Sequence, residues 1–166
     1  MYKNIVLILF SFALLGMMVS CDSKEKSTTE LNFEITKYSD QVHLYGNDNF
    51  PALDLDLKLW LPDDSTEYAG LYQVILQTYF DSLYHPESTA KRHINLLADI
   101  IIQDYKSLEI NLNVDSIEFG SSYNWQIVKE NKILFKNAKY LSFSNEEYSY
   151  TGGAHGNTIS KYYIFD

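Results

Sequence analysis

Hydrophobic and polar residues alternate with two different periods along this chain of 166 residues, and each change of period marks a change of element. Leu31, Phe33 and Ile35 alternate with Asn32, Glu34 and Thr36, while Leu53, Leu55, Leu57, Leu59 and Leu61 alternate with Asp54, Asp56, Lys58 and Trp60. A period of two sends successive side chains to opposite faces, so both segments read as half-buried strands, the second ended by Pro62. Val42 to Tyr45 reads as a short strand between them, followed by the turn cluster Gly46-Asn47-Asp48-Asn49.

After Asp63-Asp64-Ser65 the period lengthens. Tyr72, Ile75, Leu76, Tyr79 and Leu83 fall at helical spacing, and so do Ile94, Leu97, Ala98, Ile101 and Tyr105. Two amphipathic helices are predicted, separated at His85-Pro86, because proline starts or breaks a helix. Tyr72, Tyr79 and Tyr105 sit on the apolar helix faces and are expected in the core with their hydroxyls reaching the surface. Leu108, Ile110, Leu112 and Val114 alternate once more, the pattern of a strand or of a helix end running into a loop.

The last third is the most strand-like. Trp125, Ile127, Ile133 and Phe135 share one parity, a turn is expected at Lys136-Asn137-Ala138, and Tyr140 to Tyr150 runs back. Leu141 and Phe143 take one face of that strand, and Tyr140, Tyr148 and Tyr150 the other. The run Thr151-Gly152-Gly153-Ala154-His155-Gly156-Asn157 leads into a final aromatic strand, Ile159 to Phe165, where Tyr162 is a neighbour for those tyrosines. The predicted fold is α+β: a mostly antiparallel sheet with two consecutive helices packed on one face, ending in a three-stranded meander with a glycine-rich loop.

The first thirty residues follow neither period. Ile5 to Val19 is an uncharged apolar run of a length suited to a secretory signal peptide and short for a membrane span. It ends in Met18-Val19-Ser20-Cys21, which resembles a bacterial lipobox, although Met18 stands where Leu is usual. Residues 1–20 are therefore expected to be a removable signal, with Cys21 the lipidated first residue of the mature chain; the alternative is an unmodified cysteine after an ordinary signal. Residues 21–30 are polar and charged, the composition of a flexible tether, and one domain is expected over 31–166. These features imply a bacterial cell-envelope location with the membrane reached through the lipid.

Composition narrows the function. Thirteen Lys and Arg against 22 Asp and Glu give a net charge of −9, which argues against nucleic acid as a partner, since gripping phosphates needs a cationic face. It favours a cationic partner instead. One cysteine permits no intramolecular disulfide and no cysteine zinc cluster. His43, His85, His93 and His155 show neither HxxxH nor HExxH spacing, and no Gly-x-Ser-x-Gly elbow occurs, so no catalytic constellation, cofactor or metal is expected. Glu146 and Glu147 adjoin the loop but point to opposite faces of a strand, so they do not form an acid–base pair by themselves.

In the loop, Gly152, Gly153 and Gly156 permit positive φ angles and close backbone approach. Two roles stay open: amide N–H groups converging on a carbonyl or anion, or a tight turn whose shape His155 holds by hydrogen bonding. A phosphate-binding P-loop is excluded, because no Lys-Ser/Thr follows and the next segment reads as strand.

Glu147-Tyr148-Ser149-Tyr150-Thr151-Gly152-Gly153-Ala154-His155-Gly156-Asn157, preceded by Tyr140-Leu141-Ser142-Phe143 and followed by Tyr162-Tyr163-Ile164-Phe165-Asp166, resembles the PdaC-type domain family. That domain precedes the catalytic domain of a peptidoglycan deacetylase and also forms the extracellular part of a lysozyme-sensing anti-sigma factor. The resemblance is dense from about Tyr123 to Asp166 and weaker upstream, where a strand, Phe50-Pro51 and two helices follow in the family's order. It implies a non-catalytic envelope module that binds peptidoglycan, another envelope glycan or a cationic muramidase such as lysozyme. Tyr140, Tyr148, Tyr150, His155 and Asn157 are the binding candidates. It also implies a second domain after Asp166, which leaves two further readings: an accessory domain of a longer polysaccharide deacetylase, or a purely structural lipoprotein.

Overall fold

The computed structural model describes residues 31–63, 66–112, 121–137 and 139–166. The expected signal, Cys21 and the tether lie outside the described residues, as does Val114. Leu31–Asp166 is a compact unit in its own right.

Five strands form one sheet in the order β1 (Phe33–His43), β2 (Ala52–Pro62), β3 (Trp125–Lys136), β4 (Leu141–Tyr150) and β5 (Asn157–Phe165). Between β2 and β3 come two helices, α1 (Ala69–Phe80) and α2 (Ala90–Lys106). All neighbours are antiparallel except β2 and β3, which are parallel. A parallel pair needs a long crossover, and the two helices supply it. The architecture is the α+β arrangement that the two periods predict, with β3–β4–β5 as its closing meander.

The leucine row of β2 makes the core. Leu53, Leu57 and Leu59 are fully buried and Leu55 and Leu61 nearly so, packed with Ile75 and Leu76 of α1 and Ile94 and Ala98 of α2. Burying each such side chain contributes roughly 1.5–3 kcal/mol. The helix face of the sheet continues through Phe143, which is fully buried and stacks on Tyr163 with ring centroids 5.0 Å apart. Thr89 caps α2, its hydroxyl accepting from the Arg92 N–H at 3.3 Å.

Three local expectations change, and one left open is decided. β1 is one strand from Phe33 to His43 that includes Val42, and its register sets Tyr38 opposite Leu57. Phe33 and Ile35 therefore lie on the open face, away from the helices, because residues opposite each other share a face. Leu108 and Ile110 belong to a 3₁₀ helix, Ser107–Asn111, with Ile110 83% exposed, which decides between the two alternatives left open there in favour of the helix end over those residues. A bulge between Ile133 and Phe135 shifts the register, so Ile133 opposes Phe143 on the helix face while Phe135 opposes Ser142 on the open face. The extra residue reverses the parity that the two otherwise share. Finally, Tyr79 and Tyr105 are fully buried, and their hydroxyls donate to the backbone carbonyls of Lys129 (2.9 Å) and Tyr123 (3.1 Å) without reaching solvent. Burial pushes both phenols above their ordinary pKa, that of Tyr105 to about 12.

Candidate functional site

The helices cover one face of the sheet, and the register orders the other into bands. Nearest the Thr151–Gly156 turn, at what we call the loop end, Gln41, Asp54, Gln126 and Tyr150 stand side by side on four strands. The next band is Ser39, Asp56, Val128, Tyr148 and Thr158. A charged band follows, Lys37, Lys58, Glu130, Glu146 and Ser160. At the opposite end, where the described chain enters at Leu31, come Ile35 and Trp60 on β1 and β2, and Lys132, Ser144 and Tyr162 on β3 to β5. This is the entry end.

An acidic groove of about 500 Å³ crosses the loop-end half, lined by Ser39, Asp40, Gln41, Asp54, Asp56 and Gln126 among others. Its carboxylates are held in place by neighbours: Gln41 Nε2 donates to Asp54 at 2.7 Å, and the Lys58 ammonium lies 2.6 Å from Asp56. Tyr148 and Tyr150 adjoin it on β4, opposite Val128 and Gln126. The groove offers carboxylates and amides to one visitor, a set suited to ammonium or guanidinium groups.

The loop beside it is shaped by close approach. Gly152 has φ +93°, and a Cβ there would run into the carbonyl of Ser122. Gly156 needs no unusual φ, but a Cβ would strike the ring of Tyr148. The Tyr150 hydroxyl donates to the Gly153 carbonyl at 3.1 Å. His155 is exposed, with Nδ1 3.1 Å from the carbonyl of Gly156, and Asn157 is exposed at the start of β5. Tyr148, Tyr150, His155 and Asn157 are thus gathered at one end. Tyr140 is not among them: it lies at the entry end, 41% exposed, with the Lys139 ammonium 5.0 Å from its ring centroid.

The histidines upstream have local partners. His93 is buried between Phe80 and Tyr84, its Nε2 accepting from the His85 N–H at 2.8 Å and its Nδ1 3.0 Å from the Thr89 carbonyl. His43 Nδ1 lies 2.9 Å from the Phe50 carbonyl. Among the described residues, no group of three or more His, Cys, Asp or Glu is arranged to hold a metal ion. None of their helices is long and apolar enough to cross a membrane.

Sequence reading missed Asp54 and Asp56 as site residues. The signal was present, since two Asp at i and i+2 of a strand share a face, but it passed as the polar half of an amphipathic pattern. Only the pairing of β2 with both β1 and β3 sets them beside Gln41 and Gln126.

The fold has a counterpart among solved structures. A solved structure of a DUF3298 family member from Bacteroides fragilis superposes with a TM-score of 0.70 at 18% identity, covering 80% of this chain and 55% of its own. A DUF3298 family protein from Pseudomonas aeruginosa is more distant, with a TM-score of 0.46 at 16% identity, 82% and 51% of the two chains being covered. The chain spans about half the length of these solved proteins. No curated protein matches it. Residues 67–158 match the family described as "Deacetylase PdaC", and as the match takes in more than half of its length, the chain belongs to the PdaC family.

Proposed function

We propose that this chain is an accessory module of the bacterial cell envelope, held to a membrane by lipid on Cys21, that captures a cationic wall-degrading protein such as a lysozyme in the Asp54–Asp56 groove. Membership of the PdaC family supports an accessory role in the envelope. The observation that carries the choice of partner is the groove itself. Carboxylates and amides on three strands meet two tyrosines at the end of the sheet remote from Leu31. Charge on such a surface speeds encounter with a basic protein and repels acidic ones. A neutral glycan is served less well, because Tyr148 packs against Gly156 and Tyr150 is hydrogen-bonded to Gly153, which leaves less of either ring free for stacking on a sugar. A second reading, an accessory domain of a longer polysaccharide deacetylase, is supported by the description of the matching family, "Deacetylase PdaC".

The test is binding of the purified chain to lysozyme and to peptidoglycan fragments at 0.1 M and about 1 M salt, where the screening length falls from ~10 to ~3 Å. Binding to lysozyme that weakens with salt, and by about tenfold in an Asp54→Asn/Asp56→Asn variant, is the expected result. A folded sample that binds neither ligand sinks the proposal. Salt-insensitive binding to the fragments alone moves the function to the glycan.

A further inference from the structure

The entry end of the open face has a different character. The β2–β3 ladder ends at Lys58–Glu130, and the Asn131 side chain then bridges the strands, its Oδ1 accepting from the Trp60 N–H at 2.7 Å and its Nδ2 donating to the Trp60 carbonyl at 2.9 Å. Beyond that bridge lies a cleft of about 750 Å³ lined by Phe33, Trp60, Ile133, Leu134 and Phe135, with Glu130, Lys132 and Lys136 at its margin. Leu134 and Phe135 are 51% and 55% exposed, and Ile164 of β5, two residues along from Tyr162, is 80% exposed. Apolar side chains of this size gathered at one tip mark a contact surface.

What covers the tip follows from where the chain enters. Leu31 is part of it, since the Lys136 ammonium donates to the Leu31 carbonyl at 2.7 Å. Nine residues lie between Cys21 and Leu31, and the ten steps from one to the other span at most ~36 Å even when fully extended. A lipid on Cys21 therefore holds this end nearer the bilayer, on average, than the loop end, at high effective concentration. A second copy of the chain is the competing occupant, and pairing with it would leave Trp60 unquenched by lipid. The side chains suit an interface: an indole and phenyl groups around a cleft, Tyr140 on the adjacent turn, and Lys139 with a long stem that can bury while its ammonium group stays wet.

We infer that the tip formed by Trp60, Leu134, Phe135, Tyr140 and Ile164 inserts into the headgroup region of the membrane that holds the lipid, standing the sheet upright with the Asp54–Asp56 groove facing away from it. This rests on the anchor proposed above. Glu34, Asp63 and Asp166 lie at the same end, so insertion is driven by apolar burial more than by attraction to anionic lipid, and it is insensitive to salt.

The chain's two tryptophans report on this directly. Trp60 lines the cleft, whereas Trp125 starts β3 opposite Leu53, seven residues and about 23 Å back along the sheet. The mature lipoprotein is reconstituted in phosphatidylethanolamine–phosphatidylglycerol vesicles whose acyl chains are brominated near the carbonyl. In a Trp125→Phe variant the remaining Trp60 should lose about half its emission, since interfacial apolar faces sit ~5–10 Å deep at the headgroup–acyl boundary. Trp125, read in a Trp60→Phe variant, should be unaffected. Phe135→Ser/Ile164→Ser should restore Trp60 emission while circular dichroism stays native. Vesicle-bound, lipidated protein with no quenching of Trp60, or with equal quenching of both tryptophans, overturns the inference while leaving the anchor intact. An N-terminal peptide whose mass lacks the lipid defeats the anchor itself, and the docking with it.

Discussion

At the loop end of the open face, tyrosine rings touch the protein's own backbone: Tyr148 lies against Gly156, and Tyr150 donates to the Gly153 carbonyl. At the entry end, Phe135 and Ile164 face solvent and pack on little. The two halves draw on a similar stock of aromatic residues, yet in one the rings fix a loop beside an acidic groove and in the other they are left free. Between them runs the charged band, where the Lys132 ammonium lies 2.5 Å from Glu146 and 3.9 Å from Glu130. Such exposed pairs contribute little to stability, so the band serves to separate a surface that attracts cations from one that seeks apolar contact. An aromatic-rich composition by itself says nothing about which rings are available. Availability depends on what lies within reach of each ring.

The comparison can be broken hardest at the seam between the halves. Asn131→Leu removes both hydrogen bonds to Trp60 and leaves its N–H and C=O without that partner, which should cost roughly 2–4 kcal/mol in urea denaturation. Amide exchange should speed up first around Trp60 and the cleft, while the loop end keeps its protection.

A smaller effect is expected at the loop. Gly156→Ala drives a methyl group into the Tyr148 ring and should destabilise by about 1–3 kcal/mol. Adding Tyr148→Ala should recover part of that loss. Additive costs in the double variant would show that the contact does not shape the loop.

The smallest effect belongs to the tip. Phe135→Ser alters a side chain that is more than half exposed and should change stability by no more than about 0.5 kcal/mol. A drop of several kcal/mol would place Phe135 in the core and erase the contrast between the two ends.

Much of this architecture can be read from periodicity. The Leu53–Leu61 alternation marks β2, the helical spacings at Ile75–Tyr79 and Ile94–Tyr105 mark α1 and α2, and the Thr151–Asn157 run marks the final turn. Tyr148 and Tyr150 fall opposite Leu141 and Phe143 as their parity requires. Phe135 escaped the same reasoning because one extra residue in β3 inverts parity, and a bulge has no periodic signature. Phe33 and Ile35 escaped it because alternation says that two faces differ, not which of them meets the helices.

The sequence by itself determined the elements, their order and the chemistry available on each strand, since propensity and period are local properties. Only the tertiary structure decided which residues are neighbours across strands. The parallel pairing of β2 with β3 turns Asp54, Asp56 and Gln126 into one groove, the pairing of β3 with β4 sets two tyrosines beside it, and the end of the β2–β3 ladder at Lys58–Glu130 opens the apolar cleft. Register couples residues far apart in the chain through backbone hydrogen bonds, and no single segment carries that information.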